Sequence, residues 1–329
     1  MNQLTTLDEN KDNDDNSEMD YDNLDFVSPV RKPHIFILCH RDCDGWGAGA
    51  IAYNCLADSD HTLVVKGVQY GEPLPEMDLQ AVDQVFILDF SYDRDTILDI
   101  HSKVAKLVVL DHHLSAQEAL EGLPFAHFDM TKSGILLAWE YFVPEYPAPE
   151  QVELLNAYDL WNKKHPKYTW DEIAAFQMAC AAQEGSLGFW SALMDGYVID
   201  PKLRELGQDL YQKFQASVRH VLEAPTTEYV TIDNQPGVCF FSENEISLMS
   251  DALYSQTENS VTWTACFFQR NGHWVVSFRS PDPTKFVILP WAKKLGGGGH
   301  LSAAGAKLFA VEEIDAVDLV PRFIRLLTQ

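Results

Sequence analysis

The chain has 329 residues, of which 46% are hydrophobic, and its formal net charge is −25 at pH 7. This length suits two domains, since a domain usually holds about 100–200 residues. No apolar run approaches the roughly 20 residues of a membrane helix, so we expect a cytoplasmic protein without a membrane partner. The acidic balance argues against wrapping of a long nucleic acid, because proteins that do so are usually basic on one face.

The first 30 residues predict a disordered acidic tail, because they contain too few apolar side chains to offset the entropy of ordering. Six cysteines occur without a C-x-x-C pair, and several lie in apolar runs. We interpret them as small buried side chains in a reducing compartment rather than as disulfides or zinc ligands.

From residue 34 onward, short apolar runs alternate with helical patterns, which is typical of a parallel sheet. The apolar runs predict four strands, at 34–39, 62–70, 84–88 and 106–110. Helical spacing predicts helices at 45–56, 93–104, 131–143, 150–161, 171–182 and 187–194. A long amphipathic pattern at 201–223 predicts a connector helix that ends before Pro225.

The last third of the chain favours strands, at 228–232, 238–241, 261–269 and 274–280, with a hairpin turn at Asn271-Gly272. Helices are expected at 246–254 and 286–295, and a further helix is expected to begin near Ser302. We therefore predict a tail (1–30), a parallel-sheet α/β domain (31–195), a linker helix (196–224) and a smaller α+β domain (225–329).

Acidic motifs follow three of the predicted strands. They read His40-Arg-Asp42-Cys-Asp44-Gly45, then Asp89, then Asp111-His112-His113. An aspartate after a strand is often only a turn or helix N-cap residue, but three such motifs in order are hard to explain that way. Ligands bind beyond the carboxyl ends of parallel strands. These groups would repel one another without a cation, and oxygen with imidazole suits Mn²⁺, or less exclusively Mg²⁺ or iron.

This pattern resembles the signature of the DHH phosphoesterase superfamily. The later Gly297-Gly298-Gly299-His300, followed by Ala303-Ala304-Gly305, is similar to the DHHA1 domain of the same proteins. The resemblance implies a DHH domain with a parallel sheet and a smaller α+β DHHA1 domain, joined by the helical connector. One residue separates His40 from Asp42, which is closer to RecJ-like and NrnB-like members than to branches with a longer spacing.

The resemblance also implies roles for individual residues. Two divalent ions, Mn²⁺ in preference to Mg²⁺, would be bound by His40, Asp42, Asp44, Asp89, His112 and Asp159. Of these, Asp89 would bridge the two ions, and Asp159 matches a weaker motif. The catalytic group would be Asp111, His112 and His113, with Asp111 orienting the histidines and His113 contacting the scissile phosphate. Substrate would be bound by His113, Arg279, Gly297, Gly298, Gly299 and His300.

Two sets of residues could have either a substrate-binding role or a purely structural role. Lys293 and Lys294 could steer anions, although a solvated helix end explains them as well. Trp161, Trp291 and Phe286 could stack bases, although aromatic side chains are more often part of a core. Taken alone, Arg279 could instead be a solvated charge at a strand end, and the glycines could instead form a helix C-cap.

The expected reaction is hydrolysis of a short oligonucleotide or dinucleotide to nucleoside monophosphates, as in NrnB-like members. Cyclic dinucleotides or their linear products are the nearest alternative substrates, and polyphosphate or pyrophosphate is less favoured. The alternative from another class is a degenerate nucleotide-sensing scaffold without catalysis. The sequence does not determine the oligomeric state, and a homo-oligomer is compatible with it.

Overall fold

The computed structural model describes residues 32–57, 61–183, 185–196, 198–257, 260–299 and 301–329. The predicted acidic tail and His300 therefore lie outside the described residues. Within these ranges, every helix is too short or too polar to cross a membrane.

The first half of the chain contains a five-stranded sheet in the order β2-β1-β3-β4-β5, and all of its strand pairs are parallel. Its strands are β1 (His34–His40), β2 (Thr62–Val68), β3 (Gln84–Leu88), β4 (Lys106–Asp111) and β5 (Ala126–Phe128). Its helices are α1 (Cys43–Leu56), α2 (Arg94–Lys103), α3 (Leu114–Ala119), α4 (Gly134–Phe142), α5 (Glu150–Asp159), α6 (Trp170–Ala181) and α7 (Leu187–Asp195).

Both faces of this sheet are buried, which explains its continuous apolar strands. Because side chains alternate along a strand, Ile35 and Ile37 join the core under α1 and α4–α7, whereas Leu38 joins a second core with Ile97 and Ile100 of α2. The strands β1, β3 and β4 are direct neighbours. Their carboxyl ends, which carry the three acidic motifs, therefore meet at one edge.

The second half contains a six-stranded sheet in the order β10-β11-β9-β8-β7-β6, in which only the pair β7–β8 is parallel. Its strands are β6 (Glu228–Ile232), β7 (Gln235–Phe241), β8 (Trp263–Arg270), β9 (His273–Arg279), β10 (Gly298–Gly299) and β11 (Ala303–Ala310). The helices of this half are α9 (Ile246–Gln256), α10 (Leu289–Lys294) and α11 (Ala316–Thr328), and a 3₁₀ turn spans Val311–Glu313. The parallel first sheet and the mixed second sheet confirm the predicted fold class.

The long helix α8 (Pro201–Glu223) packs against both halves. Its Phe214 and Val218 share a core with Ala174 of α6 and with Phe240 and Leu253 of the second half. Because these apolar side chains are buried together, the helix fixes the two sheets relative to each other rather than only joining them.

The expected helix near Ser302 is wrong. Residues 303–310 form β11, which pairs with β9 along most of its length and with β10 at its start. The small side chains of Ala304 and Ala306 lie in the core of the second half. Strand pairing and this close packing outweigh the helical preference of alanine, as tertiary context often does. The structure also adds α3, β5 and α11, which the periodicity did not predict.

Candidate metal centre

The turn after β1 places the first motif. Asp42 is the N-cap of α1, and its Oδ1 accepts a hydrogen bond from the N–H of Gly45 at 2.9 Å. A Cβ at Gly45 would lie 2.2 Å from the carbonyl oxygen of His40, so only glycine permits this turn. The tight turn brings His40, Asp42 and Asp44 to the same end of the sheet.

Asp89 lies between His40 and His112. It directly follows β3, is 1% exposed, and has a φ of 56°, a left-handed conformation that Asp and Asn tolerate better than most residues. Its Oδ1 is 3.1 Å from Nε2 of His112, and its Oδ2 is 3.6 Å from Nδ1 of His40. A buried carboxylate in a strained backbone conformation points to a functional role for this residue.

The six predicted ligands form two adjacent groups that meet where Asp89 of the first approaches His112 of the second, and together they make up the carboxylate cluster. In each group the candidate ligand atoms lie within 4.8 Å of one another: His40, Asp42 and Asp89 in the first, Asp44, His112 and Asp159 in the second. Nε2 of His112 is 3.4 Å from Oδ2 of Asp159 and 4.0 Å from Oδ2 of Asp44. The structure thus brings all six residues together, while the assignment of each to an ion stays a prediction.

The electrostatics of this cluster favour a bound cation. Burial, and next the charge of Asp44, raises the pKa of Asp89 well above its usual value, and the same two causes raise that of Asp159. Burial alone would lower the pKa of His40, but the carboxylates of Asp42 and Asp89 outweigh it and raise the pKa to about 10. The raised pKa values show that these buried carboxyls lack enough positive charge around them, and a divalent ion would supply it.

One buried nitrogen provides a specific test of whether a metal fits. Nδ1 of His40 makes no hydrogen bond of good geometry, although Oδ2 of Asp42 lies only 2.6 Å away. The other ring nitrogen, Nε2, lies 3.0 Å from Oε1 of Gln69. A proton on Nε2 would leave the Nδ1 lone pair free for a cation, as in most metal-binding histidines. Together with the oxygen donors, this geometry fits Mn²⁺ or Mg²⁺.

Asp44 is held by a helix terminus that the sequence analysis did not assign to the site. Its carboxylate accepts hydrogen bonds from the hydroxyl of Ser133 at 2.6 Å and from the N–H groups of Gly134 at 2.5 Å and Ile135 at 3.1 Å. A Cβ at Gly134 would lie 2.3 Å from Cβ of Asp89. Ser133 is the N-cap of α4, and its hydroxyl bonds Asp44 rather than the helix. The sequence predicted the helix but did not show that its start meets the carboxylates.

Asp111 positions His113. The Oδ1 atom of Asp111 accepts hydrogen bonds from the backbone N–H of His112 at 2.7 Å and of His113 at 3.2 Å, and lies 2.7 Å from the ring Nδ1 of His113. Asp111 is fully buried, so this contact is shielded from water. The arrangement leaves Nε2 of His113 available to a ligand. Tyr70, a residue missed from sequence, packs its ring 5.6 Å from both His40 and His113.

Arg279 lies across a cleft from the carboxylate cluster. A cavity of about 640 Å³ is lined by Asp159 and Trp161 on one side and by Arg279, Ser302 and Ala303 on the other. The guanidinium donates to the hydroxyls of Ser247 and Ser277 and to a backbone carbonyl. Burial lowers its pKa, and its hydrogen bonds among the described residues all go to neutral groups. A half-buried cation of this kind is suited to an anion.

Three of the four glycines at 296–299 have a structural explanation. A Cβ at Gly297 would lie 2.0 Å from the carbonyl oxygen of Gly305, and Gly296, with a φ of 78°, lies just beyond the end of α10. Gly298 is exposed, and a Cβ there would meet nothing within 4 Å. Close packing therefore requires Gly297 and also Gly299, which has a φ of 139° and whose Cβ would lie 2.5 Å from Cα of Ala304, and the helix ending favours Gly296. Of these four glycines, Gly298 is the one that is exposed and has no such requirement.

Of the remaining aromatic and lysine candidates, some have a structural role and one lies at the cleft. Trp291 is 8% exposed and packs against Trp263, and Phe286 packs against Trp291, so both belong to a core. Nζ of Lys294 donates to the backbone carbonyl of Leu327 at 2.7 Å, which favours a structural role. Trp161 differs from these, because it lines the cleft beside Asp159.

Comparison with known proteins shows which fold the chain shares. No family model matches the chain. An uncharacterized protein of Acanthamoeba polyphaga mimivirus is 24% identical over 311 residues, which cover 87% of this chain and 72% of that protein. Among solved structures, the DHH domain of a member of the S1p family of ribosomal proteins has a TM-score of 0.61 at 15% identity, covering 91% of this chain and 87% of that one.

Two further structures carry the same fold. The pGpG-specific phosphodiesterase PggH of Vibrio cholerae has a TM-score of 0.52 at 18% identity, covering 90% of this chain and 99% of that one. RecJ of Thermus thermophilus, solved with Mn²⁺, has a TM-score of 0.50 at 15% identity, covering 90% of this chain and 52% of RecJ. The chain therefore has the DHH fold, and the resemblance carried by its motifs is confirmed at the level of the fold.

Proposed function

We propose that this protein is a metal-dependent phosphodiesterase that hydrolyses short oligonucleotides, dinucleotides included, to nucleoside monophosphates. The observation that carries the proposal is the meeting of His40, Asp42 and Asp89 with Asp44, His112 and Asp159 at one sheet edge. So many buried acidic groups are unfavourable unless cations neutralise them. The shared fold with PggH and RecJ, a phosphodiesterase and a protein solved with Mn²⁺, supports the same chemistry.

Two divalent cations in these groups would supply an activated water and neutralise charge on the phosphate and the leaving oxygen. The chain's own residues hold the reacting groups in place. Asp111 fixes His113 through Nδ1, so that Nε2 can contact a non-bridging phosphate oxygen. Water attacks the phosphorus, the bond to the leaving nucleoside oxygen breaks, and that oxygen takes up a proton. Asp159, at the cleft, links the cluster to the substrate cavity.

The cleft supports a small substrate. Arg279 presents a cation to the cavity that begins at Asp159, so a phosphodiester at the cluster could place a second anionic group there. An ion pair between Lys163 and Asp251 joins the two sides of the same cavity. The net charge of −25 also disfavours long polyanions. These features favour a substrate of a few nucleotides over a long strand.

A linear product of a cyclic dinucleotide is the second candidate substrate. It is favoured by the likeness to PggH, which is pGpG-specific and is covered over 99% of its length. Such a product is itself a dinucleotide, so the same cleft geometry and the same reaction apply to it.

The test is a product-mass assay on the purified full-length chain with Mn²⁺. Substrates are linear dinucleotides, cyclic dinucleotides, longer single strands and pyrophosphate. We expect dinucleotides to be cleaved fastest and chelation by EDTA to stop turnover. Asp89→Asn should reduce turnover to background, because it removes a charge between the two groups while asparagine still accepts the positive φ.

Asp95→Asn, at an exposed position of α2, is the matched control and should leave turnover unchanged. If no phosphoester is hydrolysed under any of these conditions, the nucleotide-sensing scaffold is the better description. If Asp89→Asn retains full activity, the proposed centre is wrong even though the protein is an enzyme.

A further inference from the structure

A second cavity opens on the other side of Asp159. It has a volume of about 440 Å³, within the range of small-ligand sites of about 300–1,000 Å³. Asp159 and Trp161 line it from the first half of the chain, and Glu245, Ile246 and Leu248 line it from the second. Since Asp159 belongs to the carboxylate cluster, a nucleotide whose phosphate lies at that cluster has this cavity within reach of its base.

Trp161 forms a rigid wall of this cavity. Its backbone has a φ of 53°, and its ring is fixed by Tyr158 and Trp170, with ring centroids 5.4 Å and 4.8 Å away. Its Nε1 lies 3.4 Å from Asp251, which belongs to α9 in the second half. A partly exposed indole held in this way can stack a nucleobase.

Glu245 faces the same cavity with unused acceptor capacity. Its carboxylate makes no hydrogen bond or ion pair with the part of the chain that the structure describes. Although Glu245 is the N-cap of α9, its side chain accepts no hydrogen bond from that helix. Its φ of 49° is unfavourable for a glutamate. Burial raises the pKa of Glu245, and no neighbouring charge offsets that cost.

An acidic side chain is unexpected in a cleft that admits an anionic substrate, unless it contacts a part of the substrate that donates hydrogen bonds. Guanine carries two adjacent donors, N1–H and the N2 amino group, on its Watson–Crick edge. A carboxylate can accept both at once. Adenine presents one amino donor beside an unprotonated N1, so one carboxylate oxygen would face an acceptor. Unpaired bases are commonly read on this edge while stacked on an aromatic ring.

We propose that this cavity is a nucleobase site that selects guanine, with the base stacked on Trp161 and its Watson–Crick edge bound by Glu245. The inference rests on the proposed function, since it names the substrate class of the same active site. Loss of a hydrogen bond to a charged group costs about 1.5–3 kcal/mol, which corresponds to a preference of roughly 10- to 150-fold.

The test is calorimetric binding of 5′-GMP and 5′-AMP to the Mn²⁺-loaded full-length chain, with turnover of GpG and ApA measured beside it. We expect GMP to bind at least about 10-fold more tightly than AMP. Glu245→Gln keeps the size of the side chain but loses the paired acceptors, so the two affinities should come within about threefold. Glu243→Gln, an exposed acid lining the same cavity, is the matched control and should keep the preference.

The outcomes separate this inference from the proposed function. Equal affinity for GMP and AMP in the unmodified protein, or a preference that survives Glu245→Gln in a folded variant, overturns the guanine site while leaving dinucleotide turnover intact. A Glu245-dependent preference for GMP without turnover of any dinucleotide supports the base site and contradicts the proposed catalysis. Circular dichroism of each variant confirms that the fold is retained.

Discussion

The carboxylate cluster and the Arg279 side of the cleft differ in how well the protein itself satisfies their charged groups. In the cluster, Asp89 and Asp159 are packed among other acids, and their pKa values are raised by burial and mutual repulsion. No packing requirement explains such an arrangement. Arg279, by contrast, is satisfied by serine hydroxyls and a carbonyl, and Gly297 is required by its contact with Gly305. A bound cation would therefore explain the carboxylate cluster, whereas hydrogen bonds and packing within the protein already account for much of the Arg279 side.

Gly134→Ala, at the carboxylate cluster, should have the largest effect on turnover. The added Cβ would lie 2.3 Å from Cβ of Asp89 and 2.9 Å from Oδ2 of Asp44. Overpacking of this kind costs about 1–3 kcal/mol of folding free energy. A displacement of about 1 Å in the cluster should also lower Mn²⁺-dependent turnover by roughly 100-fold or more. The measurement is kcat for dinucleotide hydrolysis, together with a thermal melt.

Gly188→Ala is the matched control, because a Cβ at that position of α7 meets nothing within 4 Å. It should leave both kcat and the melting temperature near their original values. A Gly134→Ala variant with unchanged kcat would mean that the start of α4 does not shape the catalytic cluster.

Arg279→Ala should have a smaller and different effect. Loss of a charged hydrogen bond to an anion costs about 1.5–3 kcal/mol, so KM should rise roughly 10- to 150-fold. Because the guanidinium lies across the cavity from the cluster, the affinity for Mn²⁺ should not change. Steady-state kinetics and a Mn²⁺ titration of the same preparation separate the two effects.

Arg219→Ala, an exposed arginine of α8, should change neither quantity. Loss of Mn²⁺ binding in the Arg279 variant would contradict the division of roles between the two sides of the cleft. Unchanged KM and Mn²⁺ affinity would assign Arg279 to structure alone.

The sequence predicts the cluster well because its signals are local. Each acidic motif directly follows an apolar strand, and parallel order places the ends of β1, β3 and β4 side by side. The contributions of Ser133, Gly134 and Gln69 could not be predicted in this way, since each depends on how a separate segment packs against the strand ends. The strand at 303–310 was missed for the same reason. Its alanines favour a helix locally, and only pairing with β9 makes them a strand.

Equilibrium titration with Mn²⁺ tests the central claim most directly, because it asks for cation binding without assuming a substrate. Calorimetry on the full-length chain, first stripped of metal by EDTA, should give two Mn²⁺ ions per chain. In Asp89→Asn at least one of these ions should be lost, since that residue lies between the two ligand groups. A folded protein that binds no Mn²⁺, or that binds it equally well after Asp89→Asn, would contradict the account.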